Sequence, residues 1–262
     1  MDANREVWDR LVPVHTESKF YDVEGFRAGR CTLDDLDLEE VGDVLGRHLL
    51  HLLCHFGMDT LSWARLGARV TGVDFSEEAI AFARRLGEEL GLSAEFVCCN
   101  VYSLREYLDG QFDVVLATEG VLSWLPDLDA FASTAAFFLE PGGTFYLRDF
   151  HPMAGALDDG GPEPCVRYPY FRTEAPLEFE DAGTYADPQA RVGGSHFEWA
   201  HSLSELFTAL RRAGLRLTAF REFPYTTYPS HPFLRMNPEG AWHCPSVPGG
   251  LPLMFLVKAV KT

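Results

Sequence analysis

Residues 47–76 read RHLLHLLCHFGMDTLSWARLGARVTGVDFS. The apolar run Leu49 to Cys54 predicts a buried strand, His55 to Gly57 a tight turn, and the stretch from about Met58 to Leu66 a helix. A second apolar run, Ala68 to Val73, ends on an acid, Asp74. Strand, turn, helix, strand and acid make a Rossmann-type half-unit. In that unit the turn and the helix N-terminus approach one end of a nucleotide-like ligand, and the acid receives ribose hydroxyls. Asp74 follows Gly57 by 17 positions, near the spacing of about 20 that this geometry expects. A dinucleotide fingerprint wants three glycines, so that the backbone can touch a pyrophosphate. Only Gly57 is present; Leu53 and His55 stand where the other two would be. A nicotinamide dinucleotide is therefore disfavoured.

The same run resembles the first motif of class I S-adenosylmethionine-dependent methyltransferases. It is most similar to a bacterial small-molecule branch in which H-L-x-C-H-F-G-x-D-T replaces the usual acid-plus-glycine motif. FDVVLATEGVLSWLPDL (112–128), LEPGGTFYLRDFHP (139–152) and EWAHSLSELFTALRRAGL (198–215) carry the likeness further. It covers most of the chain, weakly over the first 20 residues and over 155–195. The resemblance implies an α/β fold: a Rossmann-like sheet of strand order 3-2-1-4-5-7-6 flanked by helices, with an N-terminal lid and a β-rich cap insertion. It implies S-adenosyl-L-methionine as cofactor, S-adenosyl-L-homocysteine as product, and methyl transfer to N or O of a small molecule such as a natural product. The donor residues it implies are Tyr21, His51, Cys54, His55, Gly57, Asp59, Thr60, Asp74, Phe75, Ser76, Asn100, Val101, Thr118 and Glu119. In that likeness His51 takes the strand-end acidic position and Gly57 is the last of the glycines. Asn100 and Val101 meet the adenine at the end of the third strand, where an ordinary strand-end turn is the other reading.

Bulk properties narrow the partners. The formal net charge is −17, with 22 basic against 39 acidic residues. That field repels a phosphate backbone, so nucleic acid is not expected, and a small neutral or cationic substrate fits better. The longest apolar runs are strand-length, which argues against a membrane span. The charged start, MDANREVWDR, has no apolar signal core, and six irregularly spaced cysteines make no disulfide framework. A cytoplasmic location is the expectation.

Three regions are expected: a helical lid over 1–46, the core over 47–151 and 201–262, and a substrate cap over 152–200. Asn4 to His15 has the spacing of a helix burying Val7, Trp8, Leu11 and Val12. It could cover a sheet edge or fold over the ligand with Trp8 and Tyr21. Ser76 starts a second helix with Glu77 and Glu78 in its first turn. The later strands fall at 94–99, 112–117, after the turn at 140–143, and at 216–223 and 253–260, with helices over about 127–139 and from Ser202. The cap is rich in glycine, proline and aromatic residues, the composition of a pocket wall. Trp8, Trp124, His151, Tyr168, Tyr170, His196 and Trp199 are the expected substrate contacts.

In-line displacement at a sulfonium needs alignment and desolvation, and a base only where the acceptor carries a proton that must leave early. His151 is the first candidate base and His196 the second, with Glu119 or Glu198 placed to orient an amine. There is no Asn/Asp-Pro-Pro-Tyr motif and no Asp/Asn cluster for magnesium. His51, Cys54 and His55 cluster, but alternation along a strand would point His51 and Cys54 oppositely, so no metal is expected. A non-catalytic protein with a degenerate donor site stays open as the other class of reading.

Overall fold

Along each central strand, side chains sort cleanly to two faces. Leu50, Leu52, Val115, Ala117, Phe145, Leu147, Phe255 and Val257 share one apolar cluster, and Leu49, Val114, Leu116, Tyr146, Met254 and Leu256 share another on the opposite face. This is the period-2 alternation of a sheet covered on both sides. The structure, a computed structural model, describes residues 2–180 and 183–262. Met1 of the expected lid, and 181 and 182 of the expected cap, lie outside the described residues.

The strands are β1 (His48–Leu52), β2 (Arg69–Asp74), β3 (Ala94–Cys98), β4 (Phe112–Thr118), β5 (Leu139–Phe150), β6 (Leu177–Glu180), β7 (Ser195–Glu198), β8 (Leu215–Phe223), β9 (Tyr225–Thr226), β10 (Arg235–Met236), β11 (Trp242–His243) and β12 (Met254–Lys261). The helices are α1 (Asp2–Glu17), α2 (Val23–Arg27), α3 (Asp35–Val41), α4 (Met58–Arg65), α5 (Glu77–Glu89), α6 (Leu128–Phe138), α7 (Pro152–Gly155) and α8 (Leu203–Arg212). The main sheet has seven strands in the order β3-β2-β1-β4-β5-β12-β8, with β12 antiparallel to both neighbours. Counting β8 and β12 as core strands six and seven, this is the expected 3-2-1-4-5-7-6. Helices α6 and α8 cover one face; α3, α4 and α5 cover the other.

Local chemistry accounts for the elements. Ser202 caps α8 and Glu205 reaches back to the Ser202 N–H at 2.9 Å, the capping box legible in the sequence. Two boundaries differ from expectation. The first strand stops at Leu52 because Leu53 turns left-handed, with φ 54°. The stretch 140–143, expected as a turn, belongs to β5; the pairing shifts register there, from Phe112 opposite Leu139 to Val114 opposite Thr144.

The segment 224–252, expected only as a proline-rich connection, builds the small sheet β10-β11-β9. Its Phe233, Leu234 and Cys244 bury a separate apolar cluster with Ala154, Leu157 and Leu253. Among the described residues, no helix is long and apolar enough to cross a membrane.

Gly57 caps α4 at φ 81°, where an added Cβ would lie 2.7 Å from Phe96 Cε1 and 2.8 Å from Ala83 Cβ. Both the left-handed backbone and the crowding require glycine. Gly57→Ala is expected to lower the unfolding free energy by about 3 kcal/mol in urea titrations. A loss below about 1 kcal/mol would mean that β3 and α5 yield easily around this turn.

Candidate active site

Three left-handed residues in five, Leu53 (φ 54°), His55 (φ 51°) and Gly57 (φ 81°), carry the chain from β1 into α4. The positions expected to lack their glycines thus keep a glycine-like backbone. The turn is fastened to β2: Cys54 N–H donates to Val73 O at 2.9 Å, and His55 N–H to Asp74 Oδ2 at 2.9 Å. Asp74 Oδ1 accepts from Ser76 N–H at 2.9 Å. Burial pushes the Asp74 carboxyl up to about 6 against these N–H bonds.

Above this turn, at the C-terminal ends of β1, β2, β4 and β5, lies a cavity of about 810 Å³. That sheet edge is where open α/β folds bind ligands, and the volume is within the usual range for ligand pockets. Most of the expected contacts line it: Tyr21, His51, Cys54, His55, Gly57, Asp59, Asp74, Phe75, Asn100, Val101, Thr118 and Glu119 below, and Trp8, Trp124, His151, Tyr168, Tyr170, His196 and Trp199 around and above.

Two expected donor contacts do not line it. Ser76 is spent as the cap of α5, accepting from Ala79 N–H, while its hydroxyl donates to Asp9 Oδ1 of α1 at 2.6 Å. Thr60 is fully buried beneath the floor and bonds His51 Nδ1 at 2.9 Å. It also reaches the Cys54 thiol. The expectation that His51 and Cys54 face opposite ways therefore fails, because the left-handed step at Leu53 breaks the strand alternation. Among the described residues, no three His, Cys, Asp or Glu side chains are grouped to hold a metal.

His51 lies 3.4 Å from Thr118 Oγ1 through Nε2, and burial lowers its pKa to about 4, so the ring is neutral. Asn100 Oδ1 accepts from Tyr102 N–H at 3.1 Å, the strand-end turn, while the residue still faces the cavity. Its amide nitrogen supplies the hydrogen-bonding capacity that remains.

His151 caps α7: Nδ1 accepts from Met153 N–H at 3.0 Å, and Nε2, which must then carry the proton, donates to Glu222 Oε1 at 2.9 Å. His196 Nε2 lies 3.2 Å from Glu198 Oε1, and its ring stacks on Phe179 at 5.5 Å. Glu119, left-handed at φ 47°, pairs with Arg148 and accepts from Thr227 Oγ1 at 3.1 Å. Burial raises its pKa and the Arg148 charge opposes that.

Several residues at the site were not anticipated. Arg148 is buried and forks onto Asp37 at 2.7 and 2.8 Å, with Asp34 at 3.3 Å, tying α3 to β5. An arginine within the apolar run TFYLRDF was the available signal, since a buried guanidinium demands carboxylates. Thr227, Tyr228, Ser230 and His231 complete the wall from the 224–252 segment, which has no periodic pattern to announce them.

Over the cavity, α1 and the segment after it are joined to the 152–200 stretch. His15 in α1 is fully buried, with Nδ1 3.0 Å from His55 Nε2 and Nε2 2.7 Å from Thr184 Oγ1. Asn4 exchanges two 2.8 Å bonds with Phe197 of β7, and the Tyr21 and Tyr185 hydroxyls bond each other. Trp8 packs edge-on against His55 and Trp124 at 5.0 and 5.1 Å.

Geometry of this kind defines a protein that holds a nucleoside-type ligand on a Rossmann-like sheet. Comparisons with known proteins sharpen that. Residues 50–147 match the family model described as "Methyltransferase domain". A ubiquinone biosynthesis O-methyltransferase of Bordetella avium (strain 197N) is 33% identical over 187 residues, covering 71% of this chain and 69% of that protein. The protein of the same name from Xanthomonas oryzae pv. oryzae (strain PXO99A) is 31% identical over 155 residues, covering 57% of this chain. The match spans 64% of the length of that relative. A solved S-adenosylmethionine-dependent methyltransferase from Mesorhizobium loti superposes with a TM-score of 0.63 at 21% identity, covering 90% of this chain and 100% of that one. The chain belongs to the methyltransferase family, and its fold is that of the class I S-adenosylmethionine-dependent enzymes.

The buried neutral His15 gives the lid a pH signature. Burial lowers its pKa from 6.5 to about 4, so below pH 6.5 the unfolded chain takes up a proton that the folded chain refuses. This contribution to stability is intact above pH 6.5 and is lost progressively as pH falls towards 4. Urea unfolding is expected to show the advantage of the wild type over His15→Asn shrinking by about 2 kcal/mol between pH 7 and pH 5. A constant difference would mean that His15 protonates freely in the folded lid.

Proposed function

We propose that this chain transfers the methyl group of S-adenosylmethionine to a nitrogen or oxygen of a small molecule. The observation that carries the reading is the fastened turn at 53–57 with Asp74 at the tip of β2, beneath a cavity roomy enough for a donor and an acceptor. The residues fit the donor. The Asp74 oxygens accept from the His55, Ser76 and Phe75 N–H groups, and a carboxylate has about four lone-pair sites, so capacity is left for a ribose hydroxyl. The Leu53 and His55 backbones keep the turn tight without glycine. The His55 ring packs among Trp8, His15 and Phe56.

When bound, the cofactor supplies a methyl group on a sulfonium, whose departure leaves a neutral thioether. The chain then has to hold, align and dry the pair. In this reading Asp74 orients the ribose, Asn100 and Val101 the adenine, and His51 with the turn the amino-acid end. Trp8, Tyr21 and Trp124 exclude water over the reacting atoms. Well-oriented pairs gain roughly 7–11 kcal/mol from such placement.

Proton handling follows from the ring nitrogens. With both nitrogens occupied, His151 serves as a base only after giving up Met153 N–H; it holds Glu222 and the start of the cap instead. His201 at the cavity has a fixed tautomer: Nε2 donates to Leu125 O at 2.6 Å, and among the described residues the buried Nδ1 has no partner. A buried acceptor left unpaired in this way costs free energy that a donor brought to it would recover. The six cysteines are free thiols, which suits a reducing cytoplasm.

The donor site is tested by calorimetry with S-adenosylhomocysteine between pH 5 and 8. Asp74 accepts ribose hydroxyls as a carboxylate, and its pKa of about 6 sets the window. Affinity is expected to rise with pH through 6 and level off above 7. Asp74→Asn should weaken binding by about tenfold or more and flatten the profile. Unchanged affinity in that variant would remove Asp74 from the donor site.

A further inference from the structure

Charges around the cavity are unevenly committed. Among the described residues lining it, the arginines are Arg30 and Arg148, and there is no lysine. Arg148 is saturated by Asp37, Asp34 and Glu119. Arg30 is held at the outer rim by Asp22 at 3.2 Å and by the Tyr21 and Asp22 carbonyls. No guanidinium or ammonium is left over for an anionic acceptor.

The wall away from the donor turn has the opposite character. Glu198, at the end of β7, gives Oε1 to His196, and its Oε2 makes no hydrogen bond among the described residues. Trp199 N–H donates to Ser123 O at 2.8 Å, which registers β7 against the turn carrying Trp124. Trp124 lies 5.2 Å from the His196 ring, and Phe179 stacks on that ring at 5.5 Å. Glu119 and Glu198 both raise the pKa of the buried Tyr228 hydroxyl, after burial itself and Tyr185, so the two carboxylates flank one space. A carboxylate beside aromatic faces in a ligand cavity is a cation-binding arrangement.

We propose that this wall is an ammonium site, with Glu198 as counterion and Trp124 as aromatic face, and that the acceptor is a primary or secondary amine methylated on nitrogen. The proposal rests on the methyl-transfer reading and names its substrate class. A carboxylate, a phosphate or a phenolate would meet Glu198 without a compensating cation. The bound ammonium first releases one proton to solvent, because only the free amine has a lone pair. That pair forms the N–C bond, the C–S bond breaks with its electrons going to sulfur, and the products are the thioether and an N-methylammonium ion. Positive charge is conserved: it leaves sulfur and appears on nitrogen, beside Glu198.

Three probes of one skeleton test this on the full chain: 2-phenylethylamine, 2-phenylethanol and 3-phenylpropanoate. Their binding is measured by ligand-observed NMR and calorimetry, with and without S-adenosylhomocysteine. The amine is expected to bind about tenfold or more tighter than the alcohol, and the carboxylate weakest of all. Glu198→Gln should bring the amine down to the level of the alcohol, and Trp124→Leu should narrow the gap, while S-adenosylhomocysteine affinity stays unchanged in Glu198→Gln. An alcohol or carboxylate that binds as tightly as the amine overturns the proposal. So does an amine that fails to bind at millimolar concentration, or one that keeps its advantage in both variants. Loss of S-adenosylhomocysteine binding with the amine preference intact would instead remove the methyl-transfer reading and leave the ammonium site standing.

Discussion

The left-handed turn between β1 and α4 is the constraint on which the site depends. Two residues with side chains, Leu53 and His55, occupy a backbone region that costs about 1–2 kcal/mol each for an L-residue. The surroundings offset that cost by fixing the turn on several sides. Val73 O and the Asp74 carboxylate hold its N–H groups, Leu53 packs against the main core, and His55 is held by His15 and a ring of aromatic neighbours. Loosening any of these would move the N-terminus of α4, the tip of β2 and the roof together, since all three meet at this turn.

The roof and floor are consequences of that fixing, built from distant parts of the chain. His15 joins α1 to the turn on one side and to Thr184 of the cap on the other. Asn4 completes the edge of β7 with its side-chain amide, standing in for a strand neighbour. Beneath, Arg148 gathers Asp37, Asp34 and Glu119, so one buried cation ties the lid-side helix α3, β5 and the loop after β4. Removing a partner from such a group leaves an uncompensated buried charge, typically a loss of 3–5 kcal/mol. It is therefore a rigid base on which to hang a site.

How much of this was legible follows from how local the determining interactions are. The strand–turn–helix–strand unit, the capping box at Ser202 and the sheet order were readable because periodicity, caps and a family resemblance act over short stretches. That Asp74 and the aromatic residues of the 1–46 and 152–200 stretches face the cavity was readable through their positions relative to those elements. Ser76 and Thr60 stand off the cavity because small hydroxyl residues beside a site satisfy their neighbours as readily as a ligand: one caps α5 and the other braces His51. The Leu53 turn hid the shared orientation of His51 and Cys54, since alternation holds only while the backbone stays extended. Thr227 to His231 and the Arg148 cluster depend on contacts across more than 70 positions, and local patterns do not record those.

Burial drives most titratable groups of the cavity towards neutrality. His15 and His51 sit near 4, and Asp59, Asp74 and Asp149 near 6. Asp149 holds the loop after β4 through the N–H groups of Gly120, Val121 and Leu122 and has no role left as a free charge. The Arg148 charge is paired, and two carboxyl groups stand at opposite ends of the cavity, Asp74 beneath the turn and Glu198 on the far wall. On the proposed reaction a single positive charge enters on sulfur and leaves on nitrogen, so the protein meets the same charge at two places. A cavity with carboxylates at both ends and no uncommitted arginine or lysine between them holds a cation in either place without opposing its transfer. On the same proposal, a neutral His51 in place of a strand-end acid removes negative charge only where the amino-acid end of the donor, already a zwitterion, would need a hydrogen-bonding partner more than a counterion.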